Sequence, residues 1–307
     1  MLTNTSLITP PNFFLLGTTH FPTHLLASPL PTLFEAGVAC LGPLYVKEIR
    51  KVLGERPPKF LLLTHMHFDH CGAAAYLKAA FPGITIGASQ KAAEIIARPH
   101  AVETMARLND DVKRWVDAET PHMARQVPFQ PFDVDLVLSD GDRIDAGGGL
   151  VVEVMETPGH TRDSLSFYIP QYKLALVGES CGIIDPSGFA SAEFLSDFED
   201  YLANLERFSA MDVEIVSQSH FQLFSGDDAR TFFSRAIGVA LAFRERVEQL
   251  LDQENGDVSK VIALIKAEEY DSRPGPKQPL AAYMLNLEAR VRHLSEHHPA
   301  EHHPTGH

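Results

Sequence analysis

The 307-residue sequence predicts an α/β core that carries an all-helical C-terminal appendage. Three patterns predict it. Short apolar runs alternate with segments of helical period through the first 120 residues or so, apolar and polar residues then alternate one by one, and beyond Asp227 the period is helical almost to the end.

The elements follow in order. Phe13 to Gly17 and Thr32 to Gly37 read as short strands, and the segment from Leu44 has apolar residues at helical spacing. Lys59 to His65 is a buried strand by its continuous apolar run, ending in polar residues. Cys71 to Phe81 reads as a helix, Pro82 to Ser89 as a turn and a strand, and Ser89 caps a short helix that reaches Ala97. From His100 to about Asp117 the pattern is helical again. Val134 to Thr157 alternates, with Asp-Gly and a triple glycine as punctuation, which marks antiparallel hairpins. Ser164 to Ser180 continues as two strands around Pro170 to Tyr172. A helix from about Ala192 to Phe208 and a strand from Glu214 to His220 follow. The last helical stretch breaks at Asn255-Gly256 and in the loop Arg273 to Pro279.

Composition narrows the function. Forty acidic against 26 basic side chains give a formal charge of -14, which repels a phosphate backbone and argues against nucleic acid as a partner. No apolar run approaches the roughly 20 residues that span a bilayer, so no membrane partner is expected. Cys40, Cys71 and Cys181 are scattered and odd in number, which fits a reducing, cytoplasmic setting, and the N-terminus lacks the pattern of a secretory signal. Six of the 15 histidines crowd the end of the chain, in a tail expected to be disordered.

The other histidines carry the chemistry. Thr64 to Gly72 reads THMHFDHCG, and its His65, His67, Asp69 and His70 lie at the end of a buried strand, where a loop can aim them at one point. Four specified positions at about one in twenty each, over roughly 300 starts, are expected on the order of 0.002 times per chain, so the motif is not a chance loop. Three further candidates close later strands: His160 in TPGHT, Glu179 in GES and His220 in SQSH. All therefore share one rim of the sheet structure. Asp163 and Ser164 are read as orienting the ligands, Cys71 as a buried packing residue, and His20 and His24 as structural residues of an early loop.

This order of motifs resembles the metallo-β-lactamase superfamily over about Leu15 to Phe224. Within it, the helical additions resemble the quinolone-signal response thioesterases and the hydroxyacylglutathione hydrolases. The resemblance implies an αβ/βα four-layer sandwich with a C-terminal helical extension: a catalytic core over 1–226, a helical region over 227–296 and the His-rich tail over 297–307. It implies two divalent metal ions, zinc or iron. His65, His67 and His160 would hold one, and Asp69, His70 and His220 the other, with Glu179 bridging them and Asp69 given a catalytic role. The superfamily pattern has aspartate where this chain has Glu179, so ligation of a single ion stays open.

The function implied is hydrolysis of a thioester or related acyl ester by a hydroxide held between the ions, on a small-molecule acyl substrate. A homodimer is left open. Two alternatives stand beside it: a mononuclear-iron persulfide dioxygenase, and a metal-bearing regulatory or partner-binding protein. The C-terminal helices are expected to close over the metal groove.

Overall fold

The computed structural model describes residues 7–8, 10–274 and 277–298. Seven strands form a first sheet in chain order: β1 (Leu7–Ile8), β2 (Phe13–Gly17), β3 (Pro22–Leu26), β4 (Thr32–Phe34), β5 (Phe60–Leu62), β6 (Thr85–Ser89) and β7 (Leu136–Leu138). The first four pair antiparallel, and β4 to β7 run parallel. The chain then forms β8 (Arg143–Gly147), β9 (Leu150–Glu156), β10 (Leu165–Ile169), β11 (Leu174–Gly178), a small hairpin of β12 (Ile183–Ile184) with β13 (Ala190–Ser191), β14 (Ile215–Gln218) and β15 (Leu223–Ser225). The second sheet has the order β15-β14-β11-β10-β9-β8. Only its β11 and β14 pair in parallel.

Alternating side chains sort these strands into layers. Leu62 of β5 and Phe34 of β4 face the second sheet, where they meet Phe167, Leu174 and Leu176, whereas Leu61 and Leu33 face the opposite way. There they pack under α1 (Gly42–Leu53), α2 (Phe68–Cys71), α3 (Ala74–Ala80), α4 (Gln90–Ile96) and α5 (Pro99–Glu119). On the far side, Ala175 and Val177 of β11 pack against α6 (Phe198–Ser209), α7 (Asp227–Gln253), α8 (Val258–Lys266) and α9 (Leu280–His297). The layers are therefore helices, sheet, sheet, helices, with the helical appendage thickening one face. Among the described residues no helix is long and apolar enough to cross a membrane.

Several local expectations change. Residues 22–26, read as loop, are strand β3, and His24 lies inside it at 2% exposure. β7, expected in a hairpin, instead pairs in parallel with β6, held there by Asp135, whose Oδ2 accepts from Ile86 N at 2.8 Å and from Lys78 Nζ at 2.6 Å. Helix α6 starts at Phe198 because Asp197 caps it, accepting from Asp200 N at 2.9 Å; residues 192–196 ahead of it are committed elsewhere. Helix α9 extends through His297, the first residue of the expected tail, and residues 299–307 lie outside the described residues. In α7 the buried stripe includes Ala240, Phe243, Val247, Leu250 and Leu251. Leu285 in α9 is 59% exposed.

His24 makes the fold sensitive to acid. Burial keeps its imidazole neutral, lowering the pKa from 6.5 to about 4 despite the neighbouring Glu35 carboxylate. The unfolded chain takes up this proton below pH ~6.5 and the folded chain does not until about pH 4, so stability is unaffected above that window and falls as pH drops through it. A loss of roughly 3 kcal/mol by pH 4 follows from the shift alone. Denaturant unfolding at pH 7 and pH 4.5 should show this decline, and His24→Phe should flatten it.

Candidate metal centre

The motif loop leaves one sheet and hooks onto the other. Leu63 N donates to Gly87 O at 2.9 Å beside β5, and the next residue, Thr64, accepts from Leu165 N of β10 at 2.7 Å. Met66 N then donates to Asp163 Oδ2 at 2.8 Å, and the Asp163 carbonyl accepts from Ser89 Oγ at 2.8 Å. Asp163 thus ties the first loop to the loop that carries His160, as the sequence suggested. His67 precedes the short helix α2, and its carbonyl accepts from His70 N and Cys71 N at 3.0 and 3.1 Å. Gly159 is required at its place: with φ at +126°, an added Cβ would lie 2.5 Å from Tyr201 N.

All seven expected side chains converge. Donor atoms of His65, His67, His160 and Glu179 lie within 4.8 Å of one another, and so do those of Asp69, His70 and His220. Glu179 faces both groups. Its Oε2 is 2.7 Å from His160 Nε2 and 4.0 Å from His65 Nε2, while its Oε1 is 2.9 Å from His220 Nε2. Asp69 is 3.8 Å from both His70 Nε2 and His220 Nε2.

Outer hydrogen bonds fix which nitrogen of each ring points inward. His160 Nδ1 faces the Glu193 carbonyl at 2.5 Å, and His220 Nδ1 faces the His20 carbonyl at 2.5 Å. A carbonyl only accepts, so both Nδ1 atoms carry a proton, and the Nε2 atoms are the ones aimed at Glu179 and the centre. The Thr64 hydroxyl spends its hydrogen on Glu35 Oε1, so His65 Nδ1 must donate to Thr64 Oγ1 at 2.8 Å. His70 Nδ1 lies 3.4 Å from Glu35 Oε1. The inward Nε2 atoms of His65 and His70 are buried without a hydrogen-bond partner among the described residues. Buried, unpartnered ring nitrogens beside carboxylates are what a cation would satisfy, and the all-nitrogen-and-oxygen set suits zinc or iron.

The charges agree with this reading. Burial opposes ionisation of Glu179, but His160 and His220 outweigh it and hold the carboxyl well below the usual carboxylate range. Burial, reinforced by neighbouring imidazoles, pushes His65 well down and His67 to about 4. At His70 burial is overcome by Asp69 and Glu35, and the pKa is pushed up to about 10. A cation requires the neutral ring and displaces that proton.

Sequence reasoning missed two contributors. Glu35 is 2% exposed, and besides Thr64 and His70 it accepts from Ser219 Oγ at 3.1 Å. An acidic residue closing the apolar run Thr32-Leu33-Phe34 was its available signal. The Glu193 carbonyl had none, since any residue supplies one. His20 contributes its carbonyl, and its ring packs on Trp115 and Phe221. Cys71 is fully buried and burial pushes its thiol up, which leaves it a packing residue. A cleft of about 560 Å³ opens beside His67 and His160, walled by Met66, Ile95, Leu195 and Arg162 on the core side and by Ala289 and Arg292 of α9.

The sequence pattern of the metallo-beta-lactamase superfamily matches residues 31–220, a stretch that holds every one of these side chains. The chain belongs to the metallo-beta-lactamase superfamily. Among curated superfamily relatives, it is 29% identical over 177 residues to the human acyl-coenzyme A thioesterase MBLAC2, covering 56% of this chain and 59% of that protein. It is 28% identical over 125 residues to glyoxylase B2 of Dictyostelium discoideum, covering 41% of this chain and 35% of that one. The chain thus spans less than two thirds of the length of either relative. Among solved superfamily structures, a protein from Thermus thermophilus aligns with a TM-score of 0.61 at 19% identity, over 93% of this chain and 92% of its own. One from Sulfolobus tokodaii aligns at 0.58 and 16%, over 91% and 93%. At these identities the structures establish the fold, including the C-terminal helices.

Proposed function

We propose that the protein is a metal-dependent hydrolase of acyl thioesters, with a two-metal centre held by His65, His67, His160, Asp69, His70 and His220 and bridged by Glu179. The observation that carries this reading is the set of inward-facing Nε2 atoms with each outer nitrogen of His65, His70, His160 and His220 already engaged. The two oxygens of Glu179 face opposite groups, so the extra methylene relative to aspartate does not prevent a bridging role. Two divalent ions, zinc or iron according to supply, would provide Lewis acidity toward the carbonyl and activate water as the nucleophile.

The residues of the chain do the rest. Glu179 and Asp69 supply the negative charge that offsets the ions. The cleft beside His67 and His160 receives the substrate, its apolar wall of Met66, Ile95 and Leu195 lying against an acyl chain. In the net reaction a carbon–oxygen bond forms, the carbon–sulfur bond breaks and the sulfur leaves as thiolate. Thiolate needs no protonation to depart, so the absence of an assigned general acid is no obstacle. The thioesterase named among the relatives supports a thioester over other acyl groups. Three buried free cysteines suit a reducing compartment such as the cytoplasm.

The test is steady-state hydrolysis of acyl-coenzyme A and aryl thioesters, lactones and bis(p-nitrophenyl) phosphate by metal-loaded protein. Thioesters should lead. A preference for the phosphodiester by more than about tenfold in kcat/KM, roughly 1.4 kcal/mol of transition-state stabilisation, would overturn the assignment. Oxygen uptake with glutathione persulfide should be absent; its presence would favour the dioxygenase.

A further inference from the structure

The largest fully buried side chain is a charged one, Arg290 of α9, at 1% exposure. Its guanidinium lies 4.5 Å from the centre of the Phe243 ring, and its Nε has no hydrogen-bond partner among the described residues. Burying an incompletely satisfied cation is costly, so its position calls for an explanation.

Its two other nitrogens supply one. Nη2 donates to Glu269 Oε2 at 3.3 Å, which fixes the guanidinium within the appendage. Nη1 leaves the appendage and donates to the Ala192 carbonyl at 2.9 Å. The following carbonyl, of Glu193, is the one that receives His160 Nδ1–H at 2.5 Å. The same segment is held from α9 at two further points. Asn286 Nδ2 donates to Glu193 Oε2 at 3.4 Å, and the His293 ring packs on Phe194 and accepts from Phe198 N at 3.0 Å.

Residues 192–196 form an irregular segment. They precede the cap of α6 and belong to no helix, and β13 ends at Ser191 in a hairpin of two-residue strands. From the core side, Glu193 N donates to Tyr201 Oη at 3.3 Å, Leu195 N to the Gly159 and His160 carbonyls at 3.1 and 3.2 Å, and Ser196 N to the Gly159 carbonyl at 3.0 Å. The carbonyl that sets the His160 ring is therefore carried by an irregular segment held both from the core and from the appendage.

We propose that Arg290 is a positioning residue for His160: by tying the Ala192 carbonyl to Glu269 and α9, it holds the Glu193 carbonyl where it fixes the His160 tautomer with Nε2 inward. The C-terminal helices are then part of the metal centre's outer support and not only a wall of its cleft. This rests on the metal reading above as far as its consequence for metal binding goes, but the positioning itself is a property of the metal-free chain.

The test uses Arg290→Lys in the full chain, which keeps the charge but lacks the planar fork that reaches Ala192 and Glu269 together. In metal-free protein labelled with ¹⁵N-histidine, the native His160 Nδ1–H should be visible and slow to exchange. In the variant it should broaden or exchange at least tenfold faster. Zinc affinity measured by chelator competition should weaken about 10- to 100-fold, the range for loss of an outer partner of a ligating histidine. Arg246→Gln, which breaks a surface pair with Glu268 in the same appendage, serves as the comparison and should leave both readouts unchanged. A purely structural role would lower the melting temperature of the Arg290 variant and leave the His160 signal native, and that result overturns the proposal. Should Arg290→Lys fail to fold, Asn286→Ala decides: a smaller shift in the same direction supports the proposal, and a native signal with native zinc affinity refutes it. If the native protein takes up no zinc, the metal reading fails while the His160 signal still decides the positioning.

Discussion

Glu179→Gln should abolish tight binding of at least one metal ion and lower thioesterase activity by more than about 100-fold, beyond the usual effect of losing an outer partner. Gln keeps the length and shape of the side chain, so the fold has no reason to change. What it loses is the charge shared between His160 on one side and His220 on the other. Its amide nitrogen is a donor and must turn toward one of the two groups, where it offers no lone pair to a cation. Elemental analysis of the purified variant, with activity after reloading, checks the result. Unchanged metal per chain would remove Glu179 from the ligand set, and unchanged activity would remove the bridging role.

Deleting Ala229 onward should leave a chain that does not fold. The appendage packs with α6 over one face of the second sheet, and from α7 to α9 it buries Phe232, Phe233, Phe243, Val247, Leu250, Leu251, Leu287 and Val291 in the cluster that also holds Val177, Phe194 and Tyr201 of the core. Each large apolar side chain contributes on the order of 1.5–3 kcal/mol when buried, so eight of them are comparable to or larger than the roughly 5–15 kcal/mol of net stability expected for a domain. Expression of residues 1–228 should yield insoluble or dye-binding protein with no cooperative melt. A soluble truncation that melts cooperatively and hydrolyses thioesters would show the appendage to be dispensable.

The site was more legible in the sequence than the fold around it. His65, His67, Asp69 and His70 are close together in the chain, and His160, Glu179 and His220 each follow an apolar run, so a strand-end rule finds all seven of the side chains that converge. Residues that act through the backbone leave no such mark: the carbonyls of His20 and Glu193 orient two of the rings, yet their side chains say nothing of it. Strand β7 was misassigned for a related reason, because its own three residues suit either sheet and the choice is made by Asp135, which binds Lys78 and Ile86 far away in sequence. The sequence pattern starts helix α6 six residues early because Ala192 to Asp197 is compatible with helix, while Leu195 N and Ser196 N are bonded to the Gly159 carbonyl instead.

The bond from the ring of His220 to the carbonyl of His20 joins residues 200 positions apart. It sets an order on the life of the chain. A ribosome releases the strand-end cluster around His65 long before His160, Glu179 and His220 exist, and the appendage that covers the second sheet comes later still. During that interval four metal-capable side chains can meet ions with none of the later ligands to select among them. The seven converging side chains can thus meet only once His220 has been made.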